Sequence, residues 1–187
     1  ERCLKQFVPR PYGTPWSPAP GLQARMDPSG HMLGSAFVKI DNGRRSILFS
    51  GDIGRPNDLV LVAPARVPGA DYAVVESTYG DRQHEASDPL LKLGEVINRT
   101  AARGGVVVIP AFAVGRAQNL MYCIHLLKER GVIHHLPVYL DSPMATDATR
   151  IYHSHQNEHR LSPAQCEAMC HAATIVNKPD DSRALSA

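Results

Sequence analysis

Ala36-Phe37-Val38-Lys39-Ile40-Asp41-Asn42-Gly43-Arg44-Arg45-Ser46-Ile47-Leu48-Phe49 is the stretch that sets the architecture of the first half of the chain. Ala36 to Ile40 alternates weakly between apolar and polar side chains, and Ser46 to Phe49 reads as a second strand. Asn-Gly between two such runs is the best short hairpin signal, since the favoured tight turn needs positive φ. With Asn42-Gly43 as the turn, Asp41 pairs with Arg44. Counting outward in antiparallel register brings His31 near Gly54. His31 and Asp52 then share the open end of the hairpin, away from the turn.

Upstream, residues 8–28 are rich in Pro and Gly and read as irregular or edge structure. Downstream, Tyr72 to Val75 reads as a short buried strand. After about residue 88 the pattern changes to helical periodicity. Leu90, Leu93, Val96, Ile97 and Ala101 fall on one helical face, which Gly104-Gly105 ends. Val106 to Ile109 is a β-branched run, expected as a buried strand. Ala117, Leu120, Met121, Ile124 and Leu127 mark a second amphipathic helix, ended by Gly131. Val138 to Leu140 reads as another strand. Strand, helix and strand in this order predict a right-handed βαβ unit with a parallel sheet. From about Thr146 the pattern is mainly helical, and no further strand is evident. The first part is thus antiparallel β and the second α/β, with a boundary near residue 85.

The 187 residues suffice for one sizeable core or two small ones. Hydrophobic residues make up 43% and charged residues 20%, the balance of an ordinary globular protein. A net charge of +2 gives no general electrostatic attraction to nucleic acid or membrane. Any RNA binding must therefore come from local patches. The four cysteines, Cys3, Cys123, Cys166 and Cys170, form no CxxC pair and are too few for a disulfide scaffold. A reducing, cytoplasmic setting is expected. No run of about 18 apolar residues is present, so no transmembrane helix and no membrane partner are expected. No signal peptide is visible, and the chain opens on Glu-Arg-Cys rather than Met.

Three short segments put polar, metal-competent side chains at strand ends: Gly30-His31-Met32-Leu33-Gly34-Ser35, Ser50-Gly51-Asp52 and Glu76-Ser77-Thr78-Tyr79-Gly80. An imidazole and a carboxylate converging at one end of a hairpin suit zinc or manganese. Taken singly, His31 is as well explained as a satisfied polar residue beside a strand, and Asp52 as a turn residue after Gly51.

The same segments carry a resemblance. Residues 30–36 resemble the third metal motif of the metallo-β-lactamase fold as it occurs in the β-CASP family of nucleases. Phe49-Ser50-Gly51-Asp52-Ile53-Gly54-Arg55 is similar to the fourth, and Glu76-Ser77-Thr78-Tyr79-Gly80-Asp81-Arg82 to the acidic motif that opens the β-CASP region. Pro110-Ala111-Phe112-Ala113-Val114-Gly115-Arg116-Ala117-Gln118 and Asp141-Ser142-Pro143-Met144-Ala145 resemble further β-CASP segments. The five follow the family's order over roughly residues 30 to 145. The resemblance implies a partial αββα metallo-β-lactamase fold followed by a partial α/β β-CASP domain with a parallel sheet. Residues 1–85 would be the second part of the first domain, and 86–187 the first part of the second.

By that resemblance His31 ligates one metal and Asp52 bridges two. Glu76 orients a metal-binding histidine later in the chain, fixing its tautomer and raising its basicity. Asp52 and Glu76 are the catalytic candidates. Two zinc ions roughly 3.5–4 Å apart, with manganese equally compatible, would hold a hydroxide that attacks an RNA phosphodiester. Single-stranded DNA is an alternative substrate, and a homodimer or an RNA-processing complex is compatible with the family.

The family's main His-x-His-x-Asp-His motif is absent from residues 1–30, and its glycine-rich Ser-Gly-Met segment and later histidine motifs are not recognisable before Ala187. Two ligands do not build a two-metal site, so this chain alone is expected to bind metal poorly, to be inactive and to expose apolar surface. A non-catalytic scaffold homologue and another hydrolase of the same fold, acting on thioesters or lactams, are the competing readings. Arg116, Asp141 and Ser142 are weak substrate-contact candidates. A structural Arg116 paired with Asp141, and Ser142 as a helix start, explain them equally well. His153, His155 and His159, with Cys166, Cys170 and His171, have spacings that can bind metal, but a solvated helix with buried cysteines is the simpler account.

Overall fold

The hairpin forms where the alternation places it. The structure is a computed structural model that describes residues 2–67, 69–83 and 87–185. Strands β2 (Ala36–Asp41) and β3 (Ser46–Phe49) pair antiparallel, with Asp41 opposite Ser46 and Val38 opposite Phe49. The connection therefore spans four residues, and the expected Asp41–Arg44 pair does not form. Side-chain chemistry explains the longer loop. Asp41 Oδ1 accepts the Gly43 amide at 2.6 Å, and Asn42 Oδ1 accepts the amides of Arg44 and Arg45 at 3.0 and 2.8 Å. Gly43 takes φ +82° at the tip. These bonds capture amides that a two-residue turn would commit to the ladder. The register moves by an even number of positions, so every side chain keeps its face.

Strand β1 (Gln23–Pro28) adds to β2 antiparallel, and β4 (Tyr72–Val74) adds to β3 in parallel, giving the order β1-β2-β3-β4. The Pro/Gly-rich stretch thus ends in an edge strand. Paired positions share a face, so Ala24, Met26, Val38, Ile40, Ile47 and Phe49 line one side, and Arg25, Asp27, Lys39 and Ser46 the other. The expectation of a buried strand at Tyr72 to Val75 is corrected. The strand exists, but Tyr72, Val74 and Val75 are more than half exposed. Strand β4 is the other edge strand, and no helix of its own unit covers it among the described residues. At its entry, Asp71 Oδ2 accepts the amide of Ser46 at 2.6 Å and its hydroxyl at 2.9 Å. Those two bonds hold the Asp71 carboxyl below the usual carboxylate range.

The chain divides into two compact units, Glu1–Gly80 and Asp81–Ala187. The boundary expected near residue 85 falls on Glu85, which lies outside the described residues. In the second unit, α1 (Pro89–Ala101) starts where Asp88 accepts the Leu90 amide at 2.8 Å and Pro89 occupies the first turn. Its Leu90 and Ile97 pack with Cys123, Ile124, Leu127 and Ile133, and the last of these follows α2 (Arg116–Glu129). Both expected helices are present, with the expected faces inward.

The βαβ unit sits elsewhere. Val106 to Ile109 forms no strand, and Val106 and Val108 are 85% and 84% exposed, while Val107 packs against the core. The run finds no ladder partner among the described residues. The parallel pair is made instead by β5 (Tyr139–Asp141) and β6 (Thr174–Val176). The crossover between them runs through α3 (Pro143–Ser154) and α4 (Pro163–Cys170), and α5 (Pro179–Leu185) follows β6. Thr174-Ile175-Val176 is too short to show alternation, and no strand was expected there. The result is still mixed α/β with a parallel sheet.

One buried polar side chain organises the entry to α2. Gln118 is fully buried. Its Oε1 accepts the Gly115 amide at 2.7 Å, and its Nε2 donates to Ala113 O, Ala145 O and Thr149 Oγ1 at 3.0 to 3.2 Å. A Gln118→Leu change fills the space but strips these partners. We expect a loss of about 1–3 kcal/mol, the cost of leaving buried groups unpaired. Urea unfolding measures it, and a midpoint equal to wild type would contradict the network's role.

Candidate functional site

The three segments singled out in the sequence leave the sheet at one end. His31 follows β1, Asp52 follows β3 and Glu76 follows β4, all opposite the Asn42–Gly43 tip. His31 Nε2 lies 3.9 Å from Asp52 Oδ2, and both side chains are open to solvent. The hairpin argument paired His31 with Gly54. The true register is offset by two positions, and the side chains converge nonetheless. At this exposure the pair contributes little to stability. Its interest lies in presenting one nitrogen and one carboxylate oxygen to the same point.

Glu76 adds a second carboxylate. It accepts the Ile53 amide directly after Asp52. That bond, then one from the Thr78 side chain, and more weakly the nearby His31, hold its carboxyl below the usual range. Glu76 is therefore ionised at neutral pH and anchors the chain that carries Asp52.

The loops are held by short-range bonds. Ser35 Oγ accepts the amides of His31 and Met32, both at 3.1 Å, and donates to Met32 O at 2.8 Å. Two further serines were not anticipated. Ser29 donates its hydroxyl to Asp52 O at 2.8 Å, and Ser50 Oγ accepts the Glu76 amide at 2.9 Å. The sequence signal was there: Ser29-Gly30-His31 and Ser50-Gly51-Asp52 both place Ser-Gly between a strand end and the candidate residue.

The weaker candidates have structural partners. Arg116 is the exposed first residue of α2, and no ion pair joins it to Asp141 among the described residues. Asp141 Oδ2 accepts the Ser182 hydroxyl at 2.6 Å, and Ser142 caps α3 by accepting the Ala145 amide at 3.2 Å. Three histidines of the helical stretch bond to main chain. His155 and His171 contact Ile151 O and Glu167 O at 3.0 Å. His159, buried, contacts Tyr152 O at 3.1 Å and stacks on that ring. The Cys166 thiol is buried, and burial pushes the Cys170 thiol up to about 12, which makes it a poor nucleophile.

Among the described residues no three His, Cys, Asp or Glu side chains are grouped to hold an ion. His31 and Asp52 are suitable donors for zinc in kind, but two donors are half of a tetrahedral set. The two-metal site that the resemblance implies is not assembled by these residues alone.

Residues 117–187 match the Beta-Casp domain model. The chain is 37% identical over 153 residues to a protein named ribonuclease TTHA0252 from Thermus thermophilus, covering 81% of this chain and 35% of that protein. It is 36% identical over 163 residues to transcription termination factor FttA of Methanosarcina mazei, and 37% over 158 residues to that of Thermococcus kodakarensis. Those matches cover 82% and 81% of this chain, and 25% and 24% of the relatives. The chain thus spans a quarter to a third of the relatives it matches.

Proposed function

From the premise that this chain belongs to the β-CASP family of metallo-β-lactamase-fold proteins, we propose that the full-length protein containing it hydrolyses phosphodiester bonds in RNA. One observation carries the reading: His31, Asp52 and Glu76 leave three different strands and meet at one sheet end, with His31 and Asp52 open to solvent and 3.9 Å apart. The name of the Thermus relative points to the same chemistry. On this reading residues 1–85 are the second part of the metallo-β-lactamase core, and 86–187 the first part of the β-CASP domain.

The finer proposal is that hydrolysis is metal-dependent, with zinc or manganese. His31 and Asp52 supply two donors, and the remaining donors come from outside the described residues. Such ions stabilise the charge that develops on a phosphoryl group. The residues here provide the scaffold for that role: an imidazole, a carboxylate beside it, and Glu76 bracing the loop between strand and ligand. A cytoplasmic setting accords with four cysteines that form no disulfide among the described residues, and no helix among those residues is long and apolar enough to cross a membrane. RNA is the proposed partner, with a homodimer or an RNA-processing complex as the proposed assembly.

The test is direct. Full-length protein is incubated with end-labelled single-stranded RNA, and with DNA of the same sequence, before and after chelation. We expect RNA to be cut and cutting to stop on chelation, then return with added zinc or manganese. Metal-loaded protein that leaves RNA intact would overturn the reading. Thioester cleavage in its place would move the protein to another hydrolase class. RNA binding without cleavage would favour a non-catalytic scaffold.

A further inference from the structure

The side chains of His31 and Asp52 are exposed, so packing does not fix where they point. Their geometry must be transmitted through the main chain of three loops. Two buried hydroxyls connect those loops. Ser29 is 1% exposed and directly follows β1. Its amide donates to Ser35 O at 3.1 Å, its carbonyl accepts the Gly54 amide at 2.8 Å, and its hydroxyl donates to Asp52 O at 2.8 Å. It therefore ties the His31 segment to the Asp52 segment at Asp52 itself and again two residues further on. Ser50 is 3% exposed and directly follows β3. Its amide donates to Val74 O at 2.9 Å, and its hydroxyl accepts the Glu76 amide at 2.9 Å while donating to Gly51 O at 2.6 Å. It ties the Asp52 segment to the Glu76 segment.

We propose that Ser29 and Ser50 are positioning residues, two hydroxyl stitches that hold the loops bearing His31, Asp52 and Glu76 in one constellation. The chemistry favours serine here. A hydroxyl both donates and accepts, so Ser50 can serve two loops at once. Water reaches neither site readily, so a lost bond is not replaced by solvent. The proposal rests on the hydrolytic reading for its effect on activity, but its geometric content stands apart from that reading.

Ser46 provides a control within the same strand. It is 8% exposed, it lies at the other end of β3, and its hydroxyl bonds to Asp71. Ser46→Ala removes a comparable buried hydrogen bond far from His31 and Asp52. In the full-length protein, Ser29→Ala and Ser50→Ala are expected to lower kcat for RNA cleavage by roughly 10- to 100-fold, the range for residues that orient metal ligands. KM should hardly move, and Ser46→Ala should leave both unchanged. Ser→Cys at either stitch, nearly isosteric but a weak hydrogen bonder, should fall between. Crystal structures of the Ala and Cys variants give a readout independent of activity: the His31 Nε2–Asp52 Oδ2 separation, 3.9 Å here, should widen. If Ser29→Ala and Ser50→Ala match Ser46→Ala in kcat and keep that separation, the proposal is wrong. If the wild type cuts no RNA, the hydrolytic reading fails, and the separation alone decides: widening supports the stitches, an unchanged distance overturns them.

Discussion

Replacing Gly54 with alanine is expected to unfold the site end of the first unit, at a cost of about 3 kcal/mol or more. A Cβ built on Gly54 would lie 1.9 Å from Gly30 O, 2.1 Å from Gly30 C and 2.7 Å from His31 N. All three are main-chain atoms, so no side-chain rotation relieves the clash. The loops must separate, and the Gly54 amide would lose its 2.8 Å bond to Ser29 O. The backbone conformation of Gly54 is not the obstacle, since its φ is not among the positive values. Gly43 provides the opposite case. Its φ is +82°, yet a Cβ there meets nothing within 4 Å, so Gly43→Ala should cost only the left-handed penalty of about 1–2 kcal/mol. Urea unfolding of the full-length protein compares them, following the transition of the first unit. Gly54→Ala with stability within about 0.5 kcal/mol of wild type, the range of a harmless surface change, would mean the loops are not as closely apposed as described.

The contact between Gly30 and Gly54 also marks where sequence reading ended. Alternation in residues 36–49 and the Asn-Gly dipeptide were enough to place β2, β3 and the open end carrying His31 and Asp52. They were not enough for register, because Asp41 and Asn42 side chains redirect the turn amides. Periodicity found α1 and α2 with their buried faces, since each runs through three turns or more. It failed at Val106 to Ile109, where a β-branched run is compatible with a strand yet has no partner. It also failed at Thr174 to Val176, where three residues suffice for a parallel partner and are too few for a pattern. The candidate site was legible as a juxtaposition of His31 with Asp52. Its support was not, because Ser29 and Ser50 act by hydroxyl bonds to main chain 23 and 26 residues away. No local pattern encodes such bonds.

Asp52→Asn should produce the converse of the glycine result: a stable protein without activity. The Asp52 side chain is 66% exposed and its ion pair with His31 is long, so the substitution should change stability by no more than about 0.5 kcal/mol. The Ser29 bond goes to the Asp52 carbonyl, which asparagine retains, so the loop should keep its path. What changes is the oxygen facing His31. A carboxylate carries the charge that binds a cation and offsets charge developing on a phosphoryl group, whereas an amide of the same shape does neither well. Losing an interaction of several kcal/mol that acts in the transition state corresponds to a fall in kcat of roughly 1,000-fold, about 4 kcal/mol. His31→Ala should fall in the same range, and the two together should lose little more than either, since both serve one centre. The measurement is RNA cleavage by the full-length protein under saturating substrate, alongside its unfolding midpoint. A Asp52→Asn protein that cuts RNA within about threefold of wild type, a difference worth under 1 kcal/mol, would remove Asp52 from the chemistry. The shape of the loop would then belong to folding alone, and the function would have to be sought away from this end of the sheet.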